Sequence, residues 1–370
     1  MKRIAKILML LILTAISFVI VFILVLQIFE YRPDPLVQLE ITDNLTDESQ
    51  NHLKLDTTYK ILSFNVGYAS LSQTEDFVMD GGAKARMDTK SEVEANIDGI
   101  KQILEDSEAD IYLLQEVDED SARSYHINQY SAFKDALGMP SSYGYNYRCL
   151  FVPFPLDFSH MMGEVNSGIA SFTSFRVNSA IRHQLPGSFA WPVNLANLKR
   201  CLVVSKLPIA DSSKYLVIIN AHLSAYDDGS MRLKEMAYLQ EVMQAETKAG
   251  NYVIVGGDFN QTFPQALIDG ENETNHYLYP LKNPEYWEAF PMNADWFLEN
   301  GFTFGVDVST PTCRLLHQPY DTDNHENNQY YVIDGFIVSD NIDILGVETL
   351  DLDFLYSDHN PVMMEIKLIP

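Results

Sequence analysis

Cysteine is nearly absent. The 370 residues hold three, Cys149, Cys201 and Cys313. An odd, scattered set cannot pair completely, and it lacks the close spacing of a zinc site. A disulfide framework and a soft-metal centre are therefore excluded as the basis of the fold. Positive charge is also short. Lys and Arg number 25 against 51 Asp and Glu, a net charge of −26, and no long basic run occurs. A field of that sign repels polyanions at long range. It also lacks the basic patch that proteins coating nucleic acid need. A cation-armed site could still act on phosphate, because a bound metal inverts the local charge. Internal repeats and long low-complexity tracts are missing too.

What is present is apolar material, 46% of the chain, with 12% aromatic. That can fill a large core, in two domains or in one big unit. One apolar run stands apart. Lys2, Arg3 and Lys6 precede an uncharged stretch from Ile7 to Phe29. As a helix it would cross the roughly 30 Å hydrocarbon core of a bilayer. The following "LVLQIFEYRP" offers no small-x-small cleavage pattern and no lipobox cysteine. Residues 1–30 therefore read as a cytoplasmic stub and single-pass signal anchor in the cell membrane, with everything after Glu30 extracellular. A cleaved signal peptide is the alternative. Residues 31–57 carry prolines and then polar and acidic residues, and read as an extracellular tether. The body follows over 58–370. Asn-x-Ser/Thr matches at Asn44, Asn260 and Asn272 are weak signals.

From Tyr59 onward, short apolar runs alternate with helical patterns. "YKILSFNV", "IYLLQEV", "NYVIVGGDFN", "YYVIDGFIVSD" and "NPVMMEIKLI" read as strands. "RCLVVSK" and "YLVIINAHL" flank a Pro-bearing turn and read as a hairpin. In "SEVEANIDGIKQILEDSEAD", Val93, Ile97, Ile100 and Leu104 share one helical face. "GSMRLKEMAYLQEVMQAETKAG" is a second helix, with Ser230 as its expected cap and Gly250 as its stop. The helices are too few for one crossover per strand, so a two-sheet α+β sandwich is expected in preference to a parallel α/β sheet. The aromatic, then polar, stretch from about 263 to 330 reads as long functional loops.

The chemistry lies where apolar runs end. A carboxylate or amide just after a buried strand is costly unless something satisfies it. Here that recurs at Asn65, at Glu116, at Asn220 and His222, at Asp258 and Asn260, at Asp334, and at the turn "SDHNPV" with Asp358, His359 and Asn360. If those ends converge they make one oxygen-rich pocket, suited to a hard divalent cation such as Mg²⁺ or Mn²⁺. An Asp–His pair beside it could handle protons and hold a phosphate, and the amides of Asn220 and Asn260 could donate to it without adding negative charge.

The ordered set "SFNV", "LLQEVD", "NAHLSA", "GGDFNQ", "VIDGFIV" and "SDHNPV" resembles the endonuclease/exonuclease/phosphatase superfamily, the DNase I-like group. The resemblance runs from about residue 59 to the C-terminus and leaves the anchor and tether outside. It implies a four-layer α/β/β/α sandwich and a Mg²⁺- or Mn²⁺-dependent phosphoesterase. By the same resemblance, Asn65, Glu116 and Asp358 would lie at the metal, with Glu116 the principal ligand. Asp258 would position or deprotonate the attacking water, and Asn260 would hold it. His359, oriented by Asp334, and His222 would contact the phosphate. Tyr147 and Arg148 in "YNYRC" are further phosphate candidates, or else a core tyrosine and a surface arginine. "NSG" at Asn166 to Gly168 matches the family pattern only partly.

The expected substrate is a phosphate ester: a lipid, a small molecule or nucleic acid. The excess of acid favours a small or lipid-like phosphodiester; an extracellular nuclease and an inactive binding module on the same fold are the alternatives. An aromatic rim on the pocket would favour lipid, and "WFLENGFTFG" could be that rim or part of the core. Nothing in the sequence asks for a protein partner.

Overall fold

Two stretches that read as strand, helix, strand each fold into a parallel pair. Thr58–Asn65 lies beside Ile111–Asp118, and Tyr215–His222 beside Tyr252–Asp258. A helix makes each crossover, Lys90–Ser107 in the first and Ser230–Lys248 in the second. This computed structural model describes all residues except 1, 44, 46–50, 158 and 269–275. Asn44 and Asn272 lie outside the described residues.

Each pair sits inside a seven-stranded sheet. Across the first sheet the strands run Leu36–Gln38, Ser179–Gln184, Cys201–Pro208, Tyr215–His222, Tyr252–Asp258, Asp334–Ser339, Phe302–Gly305. Across the second they run Ile342–Thr349, Val362–Leu368, Thr58–Asn65, Ile111–Asp118, Gly163–Thr173, Ser141–Val152, Ile41–Thr42. The remaining neighbours are antiparallel, including the expected hairpin of Cys201–Pro208 with Tyr215–His222.

The inner faces meet through Ile61, Leu113, Ile218, Ile254, Phe336 and Met364, all fully buried. Outside the second sheet, Val93, Ile97, Ile100 and Leu104 pack on Leu62, Tyr112 and Phe172. Outside the first, Met236, Leu239 and Met243 pack on Val217 and Val253. The molecule is thus the expected α/β/β/α sandwich. Its free thiols Cys149, Cys201 and Cys313 are all buried.

Three local expectations change. Ser230 begins its helix and does not cap it; Asp227 takes that part, its Oδ2 accepting from Met231 N at 2.8 Å and Arg232 N at 3.3 Å. "WFLENGFTFG" is core: Phe297, Phe302 and Phe304 are buried among Val255, Phe263 and Ile337. The segment read as a tether is docked over much of its length. Leu36–Gln38 pairs with Ser179–Gln184, Ile41–Thr42 pairs with Ser141–Ser142, and Leu53 is buried between the sheets. Its few apolar residues find open strand edges, and that outweighs its polar composition.

The N-terminal helix, Lys2–Ile28, is long and apolar enough to span a membrane or to serve as a signal sequence.

Candidate active site

Register builds one row of the site. Asp258 lies opposite His222 on one neighbouring strand and opposite Asp334 on the other. Three polar side chains therefore leave the first sheet level with one another. Gly257 makes this possible. It has φ +150°, and a Cβ there would sit 1.9 Å from the Ala221 carbonyl oxygen; only glycine accepts so close a backbone.

The second sheet contributes by distortion. Its register shifts between Leu114 and Val117, and Glu116 has φ +54°. A bulge of this kind re-aims a side chain. Here it turns Glu116 out of the alternation, and its carboxylate is the open one, 25% exposed against 2% for Asp258. Asn65 ends the neighbouring strand and joins the sheets, donating from Nδ2 to Asp258 Oδ2 at 3.0 Å and to Glu116 Oε1 at 3.4 Å.

The final turn closes the ring. Asn360 N donates to Thr312 O at 2.8 Å, and Arg314 N donates to Asp358 O at 3.0 Å, so the 312–314 segment pins the turn. His359 Nδ1 then meets Asp334 Oδ2 at 2.8 Å. Its Nε2 faces the site, 3.9 Å from Asp258 and 4.0 Å from Asp358.

The two histidines differ in charge. Burial alone would discharge His359, but Asp334 holds its pKa well above the ordinary value, with Cys313 and Asp358 adding to the effect. His222 goes the other way: burial, then Arg200, push it well below. Its Nε2 lies 3.4 Å from Asp258, and its Nδ1 has no partner among the described residues. Burial and then Asp334 raise Asp258 to about 7. Asp358 also rises to about 7, from burial first and with Glu116 as the main repelling neighbour.

A hard divalent cation fits this chemistry. Glu116 raises the Asp358 carboxyl by repulsion, which a cation between them would relieve; the Asn65 amide beside them turns Nδ2 to Glu116, while its Oδ1 accepts from Gly67 N at 3.1 Å. Asp258, Asp334 and His359 form a tighter cluster, with donor atoms within 4.8 Å of one another. Within it His359 Nδ1 is already taken up by Asp334 at 2.8 Å, so the trio also forms an ion-pair network.

The remaining expected residues divide between the site and other places. Asn220 is fully buried between the sheets. Its Nδ2 donates to Ala170 O at 2.9 Å, and its Oδ1 accepts from Gln115 at 2.8 Å. It shares a face with His222 but sits one repeat deeper, where the other sheet covers it, so no donor remains for phosphate. Arg148 lies over the rings of Tyr145 and Tyr31, outside the site. A register shift between Tyr145 and Tyr147 sends Tyr147 to the cavity wall and Arg148 to the opposite face. Tyr147 donates its hydroxyl to Ala196 O at 3.0 Å and acts as wall. Asn260, buried, donates Nδ2 to Leu223 O and its backbone N–H to Asp258 Oδ1, at 2.9 Å each.

Sequence reasoning missed the arginines that line the cavity: Arg123, Arg200 and Arg314. Arg123 pairs with Asp118 at 2.9 Å and stacks 3.6 Å from the Tyr68 ring centre. Arg200 Nη1 donates to His222 O at 3.3 Å, and Arg314 Nη2 to Ser72 O at 2.8 Å. In a chain so poor in Lys and Arg, arginines flanking apolar runs were the available signal. Asp80 also lines the cavity and accepts from the Tyr226 hydroxyl at 2.7 Å.

The family model for the endonuclease/exonuclease/phosphatase family matches residues 62–359, which include every residue placed in the site so far. The chain belongs to this family. It is accordingly a hydrolase of phosphate esters, from a family that generally depends on a divalent metal. Solved structures agree on the fold. An endonuclease/exonuclease/phosphatase from Beutenbergia cavernae is 14% identical at TM-score 0.56, over 84% of this chain and 72% of its own. One from Bacteroides vulgatus is 14% identical at TM-score 0.51, over 85% and 100%. ANGEL2, a 2′,3′-cyclic phosphatase solved with adenosine-2′,3′-vanadate, is 15% identical at TM-score 0.51, over 90% and 99%. No curated protein matches the sequence.

Proposed function

We propose that this family member hydrolyses the phosphodiester of a small or lipid-like molecule, on the extracellular side of a membrane to which its first helix anchors it. The observation that carries the reading is the convergence of four strand and turn ends, bearing Glu116, His222, Asp258 and His359, on one cavity, with Asn65 bonded to Asp258 across the sheets and Asp334 bonded to His359. The substrate preference rests on the charge of −26, which opposes tracking along a polyanion.

Asn65, Glu116 and Asp358 would hold Mg²⁺ or Mn²⁺, which supplies polarisation of the phosphoryl oxygen and a more acidic water. Asp258, with a pKa near neutrality, accepts the proton of the attacking water. Asn260 and Asn65 fix that carboxylate by donating to it. His359 presents a charged N–H to the phosphate, and Asp334 keeps the ring in that orientation. His222, neutral, adds a second ring N–H without further charge. Hydrolysis forms a bond from water oxygen to phosphorus and breaks the ester P–O bond. The departing oxygen takes the proton.

The test is a substrate panel on the full chain in detergent with Mg²⁺ or Mn²⁺: bis(p-nitrophenyl) phosphate, p-nitrophenyl phosphate, plasmid DNA, RNA, sphingomyelin and inositol phosphates. Turnover of a diester that stops with EDTA and with His359→Ala is expected. Turnover indifferent to both sinks the mechanism, preferred cutting of DNA or RNA makes the chain a nuclease, and no turnover at all leaves a binding module.

A further inference from the structure

The cavity over the site and the N-terminal helix share a wall. The cavity holds about 640 Å³ and runs from Glu116, Asp258 and His359 out to Val152, Phe154 and Val193. Its wall residues Tyr147, Val152 and Met162 belong to one buried apolar cluster with Leu26, against which Phe22 and Ile23 also pack. The join is fastened by specific contacts. The Phe22 and Phe151 rings meet edge-on at 6.2 Å. Trp191 Nε1 donates to Gln27 Oε1 at 3.1 Å, and Lys199 pairs with Glu30 at 2.8 Å.

Depth follows from helix length. Phe22 lies sixteen residues after Lys6, about 24 Å along a helix rising 1.5 Å per residue. A hydrocarbon core is about 30 Å thick. With Lys6 at the near interface, Phe22 is still within hydrocarbon, and Phe151, touching it, reaches the same depth. The surface around Phe151 is suited to that place. Leu150 is 43% exposed, Phe154 40%, Leu156 87%, Trp191 63% and Val193 55%. Neither flanking loop, 150–162 or 186–198, contains Lys or Arg. A clustered apolar rim marks an interaction surface, and the adjoining helix identifies what covers it.

We infer that the mouth of the cavity is seated in the outer lipid surface, and that the site takes its phosphate ester from a lipid of the same bilayer. For its chemistry this rests on the phosphoesterase reading above, and for its geometry on the first helix spanning the membrane. The acyl portion stays at the apolar rim while the headgroup phosphate reaches His359 and Asp258. A rim without cations gives a nucleic-acid backbone nothing to hold.

Two measurements on the full chain in liposomes test this separately. Every native cysteine is buried, so a dye on Leu156→Cys reports the rim alone. A dye on Leu298→Cys is the control, at a residue 59% exposed in the short helix before Phe302–Gly305, the edge strand at the other end of the first sheet from Leu36–Gln38. Brominated acyl chains should quench the first at least twofold more than the second; equal quenching overturns the inference whatever the activity. In the second measurement, Phe151→Asp combined with Leu156→Asp should cut turnover of a bilayer-embedded phosphodiester lipid at least 10-fold. Turnover of water-soluble bis(p-nitrophenyl) phosphate should stay within twofold. Equal loss on both substrates, or on neither, overturns the inference. If the unmodified chain turns over neither substrate although Leu156→Cys is quenched, the phosphoesterase reading fails, and the lipid substrate with it.

Discussion

Thr58–Asn65 with Ile111–Asp118, and Tyr215–His222 with Tyr252–Asp258, are each a parallel pair bridged by one helix, yet their C-terminal ends are finished differently. The second pair keeps its register to the last residue and sets His222, Asp258 and Asp334 in a row. The first pair holds register as far as Asn65 and Gln115, but Ile111–Asp118 breaks register after Leu114 with its other neighbour, Gly163–Thr173, and leaves Glu116 at φ +54°, with Gly67 and Tyr68 also at positive φ. Non-glycine residues held there cost on the order of 1–3 kcal/mol each and cluster at functional sites. The division suits the chemistry. Proton and phosphate contacts need fixed spacings between side chains, which register supplies. A cation brings its own distances and needs oxygens aimed at one point, which a bulge supplies.

The comparison can be broken from either end. Glu116→Gln, or chelation by EDTA, should lower turnover on the order of 10³-fold, equivalent to about 4 kcal/mol of barrier. Added Mn²⁺ should rescue the chelated protein and not the variant. Full activity in Glu116→Gln would remove the metal from the bulged pair. His359→Ala should cost about 10²-fold or more in kcat, with metal affinity by titration calorimetry nearly unchanged. A large loss of metal affinity would instead merge the two halves. Asn220→Ala should lower stability by about 1–3 kcal/mol in denaturant unfolding, because Gln115 loses its buried partner. The folded fraction should keep kcat within about threefold, and a larger loss would return Asn220 to the catalytic groups. Arg148→Ala should leave kcat/KM within twofold, since its guanidinium lies on the other face of its strand.

Much of this was legible before any coordinates. An acid, amide or imidazole closing an apolar run is expensive anywhere except beside others of its kind. That argument picked out Asn65, Glu116, His222, Asp258, Asp334 and His359, and the structure brings those six side chains together. It failed where three-dimensional depth decides. Asn220 and His222 share a strand face, and only the reach of the opposite sheet shows that one is covered and the other open. For Tyr147 and Arg148 the sequence leaves two readings open, phosphate contacts or a core tyrosine and a surface arginine, and the structure gives the second, with a register shift in the strand setting which side chain faces in. "WFLENGFTFG" is open by sequence between rim and core, and its Phe297, Phe302 and Phe304 are core. The exposed rim, by contrast, comes from the end of Ser141–Val152 and two irregular segments beyond it, with no strand periodicity to mark most of it.

The docked segment after the first helix has a kinetic meaning. A free chain of residues 31–57 would let the body range roughly 30 Å from its attachment. Instead Gln184 N donates to Pro35 O at 2.8 Å, and Leu36–Gln38 zips onto the sheet edge at once. With its first helix in a bilayer, the body has almost no radius of sweep. Encounters are then set by lateral diffusion past a fixed point, so the rate should follow the surface density of substrate in the membrane and be indifferent to bulk volume.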